Sequence, residues 1–387
     1  MPILSNFSFP TDIKVGENTA KMIPDILGQH GFSRPLYVTD SFIRHLPFFT
    51  NLCQDAKKAG LSIEVFSDIS GNPSAEEVEK GAKAFAEHQA DSLVMIGGGA
   101  VLDVGKAIAV AATHSGSILD YAEGAREGKT ISQELPFKIA VPTSAGTGSE
   151  VGRSSVISAV DTKKKWIIFS PLMLPEIVFL DPLLSTDLPL QPTIFTGIDA
   201  LTHCIEAYLA KGYHPICDGI AIEGIKLISQ HLPIAVKEPK NLNARLQMMV
   251  AATMGAISFQ KGLGVTHSCA HALSTHFNLH HGLANALMLE ACLNFNLSHC
   301  ESKYLSLLGA LGRSSGNASH FVRWVHDFFA LIGADIFLRQ IRVEVHQKLI
   351  ETALEDPCHQ LNPKTVSSQD FSHLFQAVFT KKKGEIS

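Results

Sequence analysis

Residues Ser92–Lys106 read SLVMIGGGAVLDVGK, and the fold class follows from this stretch. Ser92–Ile96 is an apolar run without polar alternation, the pattern of a strand covered on both faces. Gly97, Gly98 and Gly99 end it at once. Val101–Thr113 then continues with helical periodicity, and Asp103 and Lys106 fall in the first two turns after the glycines. A strand that turns through glycines into a helix lets backbone approach an anion, and the helix start offers unpaired N–H groups. The spacing is neither GxGxxG nor a P-loop, so alone it signals a nucleotide only weakly.

Working outward, Leu36–Thr39, Leu61–Phe66, Lys138–Val141 and Ile177–Leu180 read as further strands, and Ala75–His88 as a further helix. Strands spaced by helices predict a parallel sheet covered on both faces. A second strand-end loop, Pro142–Glu150 (PTSAGTGSE), is rich in glycine and hydroxyls and offers Thr143, Ser144 and Thr147. Ligands of open α/β sheets sit at such strand ends. Asp40 follows the first of these strands. An acid there hydrogen-bonds an adenosine ribose and repels a 2′-phosphate, which puts NAD ahead of NADP; a solvated turn aspartate is the plain alternative. After Pro189 the pattern changes. Thr193–Lys211, Asp218–Gln230, Leu242–Ser258, Leu283–Leu297, Ser302–Leu311 and Ala318–Ile332 all show 3.6-residue periodicity, and strand signals are scarce. The expected division is an α/β dinucleotide-binding domain over 1–188 and an all-α metal-binding domain over 189–387.

The 387 residues exceed what one core usually organises. The net charge of −5 argues against nucleic acid or an anionic membrane surface as partner. The lysine runs Lys163–Lys165 and Lys381–Lys383 are short and read as a solvated loop and tail. No signal-peptide pattern and no apolar run long enough for a span is expected. Seven cysteines, an odd number without CxxC, suit reduced thiols in a cytoplasm.

Eighteen histidines are many, and several cluster between His267 and His281. Asp199 and His203 stand at i and i+4, on one helix face. His267 and His271 repeat that spacing, and His281 follows His267 by fourteen positions. One such pair alone is usually a surface hydrogen bond. Two pairs plus a further histidine point to a metal with borderline N/O ligands, Fe(II) or Zn(II).

Four stretches now resemble the iron-containing (group III) alcohol dehydrogenase family: GGGAVLDVGK at Gly97–Lys106, PTSAGTGSE at Pro142–Glu150, GIDALTHCIEAY at Gly197–Tyr208, and FQKGLGVTHSCAHALSTHFNLHHGLANA at Phe259–Ala286. Asn72-Pro73 also fits. The resemblance implies a Rossmann-like α/β N-terminal domain and an all-α C-terminal domain, the dehydroquinate-synthase-like architecture. It implies Asp199, His203, His267 and His281 as metal ligands; His276 and His280 compete for the fourth place, and the histidine directly before glycine, His281, takes it. It implies His271 as a non-ligand histidine near the nicotinamide, and Gly97, Gly98, Gly99, Asp103, Thr143, Ser144, Thr147 and Lys165 around the cofactor. Ala100, Ser144 and Ala272 depart from the common pattern, and Thr275-His276 falls where the substrate pocket is shaped.

The expected activity is reversible hydride transfer between a small alcohol and an aldehyde or ketone, with His271 as proton relay. Pocket walls are expected from Ser154, Ser258, Phe259 and the region of Cys358. The expected partners are that substrate and further copies of the chain, as a homodimer or higher homo-oligomer. Three rival readings are a glycerol-dehydrogenase-like polyol enzyme, a metal-dependent cyclase or lyase like dehydroquinate synthase, and a non-catalytic metal-binding protein. The cyclase needs a cluster of basic residues, and Lys261 alone stands near His267–His281.

Overall fold

The computed structural model describes residues 11–126, 128–159, 165–313 and 316–379. Lys163, Lys164, Lys381–Lys383 and the first ten residues lie outside them. Two compact units are present. One holds the described residues up to Ser144 together with Gly148–Leu188; the other holds Ala145–Thr147 and those from Pro189 onward.

The first unit is built on β1 (Asp12–Val15), α1 (Ile23–Gln29), β2 (Pro35–Val38), α2 (Pro47–Lys58), β3 (Glu64–Phe66), α3 (Ala75–Glu87), β4 (Ser92–Gly97), α4 (Gly99–Ala111), β5 (Phe137–Pro142), β6 (Ser154–Ser158), β7 (Lys165–Phe169) and β8 (Ile177–Leu180). Six strands form a parallel sheet in the order β1-β8-β5-β4-β2-β3. β4 is buried throughout because alternate residues meet helices on opposite faces. Val94 and Ile96 join the apolar cluster with Ile23, Leu27, Phe49 and Leu52 of α1 and α2. Met95 points the other way, onto α4, where any Cβ at Gly105 would overlap it. Strands are added to opposite sides of the sheet on either side of the β2–β4 junction, the place where open α/β sheets take their ligands at the carboxyl ends. Asp40 and the glycine turn lie at those ends. The Thr39 hydroxyl donates to the Ile96 carbonyl at 2.8 Å and ties the two strands together there.

Strand β1 and the antiparallel pair β6–β7 are elements the sequence analysis does not predict. β1 is a four-residue edge strand with half-exposed residues, and Ser154–Ser158 reads SSVIS, with only Val156 and Ile157 apolar, so neither has a long apolar run.

The second unit is helical: α5 (Leu190–Leu209), α6 (Pro215–Lys237), α7 (Leu242–Ser258), α8 (Val265–Phe277), α9 (His281–Ala310), α10 (Ser319–Leu331), α11 (Ala334–Leu338), α12 (Gln347–Glu355) and α13 (Ser368–Phe379). α5 is buried along nearly its whole length, with Ile198, Leu201 and Ile205 in the largest apolar cluster. Two predicted helices, Leu283–Leu297 and Ser302–Leu311, are merged in α9; Cys300, at φ −129°, breaks the helical geometry between them. Among the described residues no helix is long and apolar enough to cross a membrane.

Candidate functional site

In the α/β unit, Gly98 is the extended residue before α4 and supplies no side chain to cap it. The first N–H groups of α4 are thereby left for another acceptor. Gly97 is required by space: a Cβ there would lie 2.6 Å from the Val101 side chain. The Ser144 hydroxyl lies beside Gly98, 3.5 Å from where its Cβ would be, and the Thr143 amide donates to the Gly97 carbonyl at 3.0 Å. The glycine turn and the start of the hydroxyl loop are therefore neighbours. Thr147 and Ala145 belong to the helical unit instead.

Asp103 has both carboxylate oxygens engaged within its own unit. Oδ1 accepts from the Ser149 hydroxyl at 2.5 Å and Oδ2 from the Val156 amide at 3.0 Å. The fully buried Lys106 ammonium lies 3.2 Å from Asp103 and donates to the Ser149 hydroxyl at 2.7 Å and to the Ser154 carbonyl. Together they fasten the hydroxyl loop and β6 to α4. Lys165 opens β7, and burial holds its ammonium below the ordinary lysine value while the Asp103 charge opposes that shift. Asp40 accepts through Oδ1 from the amides of Phe42 and Ile43, at 2.9 and 2.7 Å, and so caps the turn after β2.

In the helical unit, Asp199 and His203 lie on α5, His267 on α8 and His281 at the first residue of α9. One ligand atom from each lies within 4.8 Å of the others. Asp199 Oδ1 is 3.4, 3.9 and 4.0 Å from Nε2 of His281, His203 and His267. Bonds of about 2.0–2.2 Å place ligand atoms roughly 3.3–3.6 Å apart, so the Asp199–His281 pair already stands at such a separation and the Asp199–His203 and Asp199–His267 pairs lie a few tenths of an ångström beyond it. Gly282 allows this approach, because any Cβ there would overlap the Phe195 carbonyl of α5. His276 instead bonds Thr352 at 2.8 Å and stands against His346; neither it nor His280 belongs to the four-residue group.

The electrostatics favour a cation. Burial pushes the His203 ring down to about 4, with Asp199 opposing and His267 adding to the effect, so its lone pair is free at neutral pH. Burial also acts against a charged His267, but the hydrogen bond and charge of Glu206 outweigh it and raise that pKa. The Asn285 amide group donates to Asp199 Oδ1 at 2.7 Å and approaches Nε2 of His281 and His267 at 3.2 and 3.4 Å, while its own buried carbonyl oxygen has no partner. A donor drawn in among three acceptor atoms, with an orphaned oxygen beside them, fits a site shaped for a positive ion.

Glu206 was not singled out from the sequence. Its carboxylate accepts from the amides of Gly264 at 2.9 Å and Thr266 at 2.7 Å, and from His267 Nδ1 at 2.7 Å. It caps α8 and fixes His267 with Nε2 toward the ligand group. Asp199, His203 and Glu206 stand at i, i+4 and i+7 on one helix face, a readable signal. His271 is brought to the same place: its ring stacks on His281 with centroids 5.1 Å apart. Of the expected pocket walls, the Phe259 ring lies 5.1 Å from the His203 ring between centroids, whereas Ser258 is fully buried and its hydroxyl donates to the Gly255 carbonyl.

Residues 10–182 match the profile "Iron-containing alcohol dehydrogenase", and 193–379 match "Fe-containing alcohol dehydrogenase family, C-terminal". The 4-hydroxybutyrate dehydrogenase of Cupriavidus necator is 36% identical over 359 residues, covering 89% of this chain and 92% of that one. The NAD-dependent methanol dehydrogenase of Bacillus methanolicus is 31% identical over 382 residues, covering 96% and 99%. Among solved structures, the alcohol dehydrogenase from Oenococcus oeni superposes with a TM-score of 0.90 at 28% identity, covering 97% of this chain and 100% of that one.

Proposed function

Because the chain belongs to the iron-containing alcohol dehydrogenase family, we infer that it interconverts a small alcohol and its aldehyde or ketone with NAD and one Fe(II) ion. The observation that carries this reading is the buried group Asp199, His203, His267 and His281, backed by Glu206. Those four residues would hold the ion; Zn(II) suits the same donors. When bound, the metal supplies a Lewis acid for an alcohol or carbonyl oxygen, and the nicotinamide supplies the hydride acceptor or donor.

The chain's own residues do the rest. Glu206 keeps the Nδ1 hydrogen of His267 and so presents Nε2. His271 takes the hydroxyl proton in oxidation and returns it in reduction. Gly97, Gly98, Gly99, Thr143 and Ser144 would receive the pyrophosphate, with Asp103 fastening the loop through Ser149. Asp40 would meet the adenosine ribose, and Lys165 would reach a ribose of the cofactor. This assigns dinucleotide binding to 1–188 and metal binding to 189–387. We place the enzyme in the cytoplasm, on its seven unpaired cysteines, and expect a homodimer or higher homo-oligomer.

The test is NADH formation after loading with Fe(II) or Zn(II), across methanol, ethanol, 1,3-propanediol and 4-hydroxybutyrate. Metal-dependent turnover of at least one supports the reading. No turnover of any alcohol by a chain that binds both metal and NAD would reject it.

A further inference from the structure

His271 has a partner that the activity as described does not use. Its Nδ1 lies 2.7 Å from Asp356 Oδ2, and the two side chains are 24% and 12% exposed. Asp356 sits between α12 and the short turn Pro357–Leu361. Its other oxygen, Oδ1, accepts from the Ser268 hydroxyl at 2.7 Å and from the Cys358 amide at 2.9 Å. Ser268 in turn accepts from the His359 amide at 3.0 Å. Three hydrogen bonds to the carboxylate, and a fourth from the turn to Ser268, thus lock it to α8 and to the turn. Burial opposes its charge, but His271, Ser268 and the Cys358 amide hold the carboxyl well below the usual range.

We propose that Asp356 is the positioning residue of His271: it keeps the ring hydrogen on Nδ1 and leaves the lone pair on Nε2. Its effect on turnover rests on His271 being the proton relay. In alcohol oxidation the hydroxyl proton passes to Nε2 while the hydride leaves with the nicotinamide; Nδ1 keeps its hydrogen throughout. In reduction the same proton returns to the alcohol oxygen. A ring with its hydrogen on Nε2 would face the hydroxyl as a donor and could not take the proton. His271, Asp356 and Cys358 also lie close enough to hold a second ion. Both oxygens of Asp356 are already engaged by hydrogen-bond donors, which favours the positioning role.

Asp356→Asn tests this in the Zn(II)-loaded chain. The asparagine oxygen still accepts from Ser268 and the Cys358 amide, but its NH2 group faces Nδ1 and forces the ring hydrogen to Nε2. Nitrogen NMR of histidine-labelled protein should record that change of tautomer. The expected kinetic result is a kcat loss of roughly 10–100-fold, with metal content unchanged and KM within about twofold. On a His271→Ala background the same substitution should cost nothing further, because the two residues act as one unit. Asp356→Ser keeps the turn cap without a carboxylate, and should lose kcat similarly if the asparagine variant does not fold. An unchanged tautomer with unchanged kcat would overturn the proposal. So would two metal equivalents in the unaltered chain falling to one in Asp356→Asn. A changed tautomer while His271→Ala retains full kcat would support the positioning and reject the relay.

Discussion

At the scale of single residues, the site is divided between groups that would touch an ion and groups that aim them. His281→Ala should remove most metal uptake while the chain stays folded, since His281 is the most exposed of the four and stands at the first residue of α9. Metal analysis of the purified variant checks this; full occupancy would pass the ligand role to another group. Glu206→Gln takes the charge from behind His267 and should weaken metal affinity by about 10–100-fold. A chelator competition titration reads that loss, and an unaltered midpoint would leave Glu206 as a helix cap only. Asp40→Gly should raise the NADP to NAD ratio of kcat/KM. Like charges about 4–5 Å apart cost on the order of 3–4 kcal/mol at an effective dielectric of about 20, and the half-exposed position of Asp40 reduces this. A constant ratio would remove Asp40 from the cofactor site.

At the scale of elements, close backbone approach decides where the side chains arrive. Gly282 lets the start of α9 rest on the Phe195 carbonyl of α5. Gly282→Ala should therefore destabilise the chain by about 1–3 kcal/mol and displace His281, weakening metal binding at least tenfold. Thermal melts with and without metal give both numbers; a variant that loses neither would show that the two helices can separate at no cost. Elements also show how far the sequence could be read. β4 and α5 were legible because their periodicity is long and unbroken. β1 and β6 were not, because short half-buried strands carry few apolar positions; β7 does hold the apolar run Trp166–Phe169, but it follows lysines that read as a solvated loop. The four-residue group was legible through two helical spacings and a family resemblance. Asp356 was not: 85 positions separate it from His271, and no local pattern announces a partner that distant. Asp103 and Lys106 were visible near the glycine turn, yet their bonds to Ser149, Ser154 and Val156 arise from a loop whose path only the fold reveals.

At the scale of the whole molecule, the two buried histidines give the metal-free chain a stability that depends on pH. His203 has a folded pKa near 4, below its unfolded value of about 6.5. Between those values the unfolded chain binds the extra proton, so stability falls as pH drops through the window, by on the order of 3 kcal/mol in all. His267 has a raised pKa, so its contribution is complete below about 6.5 and fades as pH rises through the folded value. Their joint effect is a maximum near pH 6.5. Melting curves of chelator-treated protein should trace it, and His203→Gln should flatten the acid limb. An acid limb of unaltered slope in that variant would assign the dependence to other groups.

The pairing of β1 with β8 has a consequence for synthesis on the ribosome. Asp12 pairs with Ile177, so roughly 165 residues of chain lie between the two strands. At about 5–20 residues per second, β1 leaves the ribosome on the order of 10–30 s before β8, its neighbour in the sheet, has been made. Throughout that interval β8 cannot cover the edge of β5, and the β1 segment waits unpaired. A nascent chain stalled before Ile177 should be cut by protease within Asp12–Val15. One stalled well beyond Leu180 should resist.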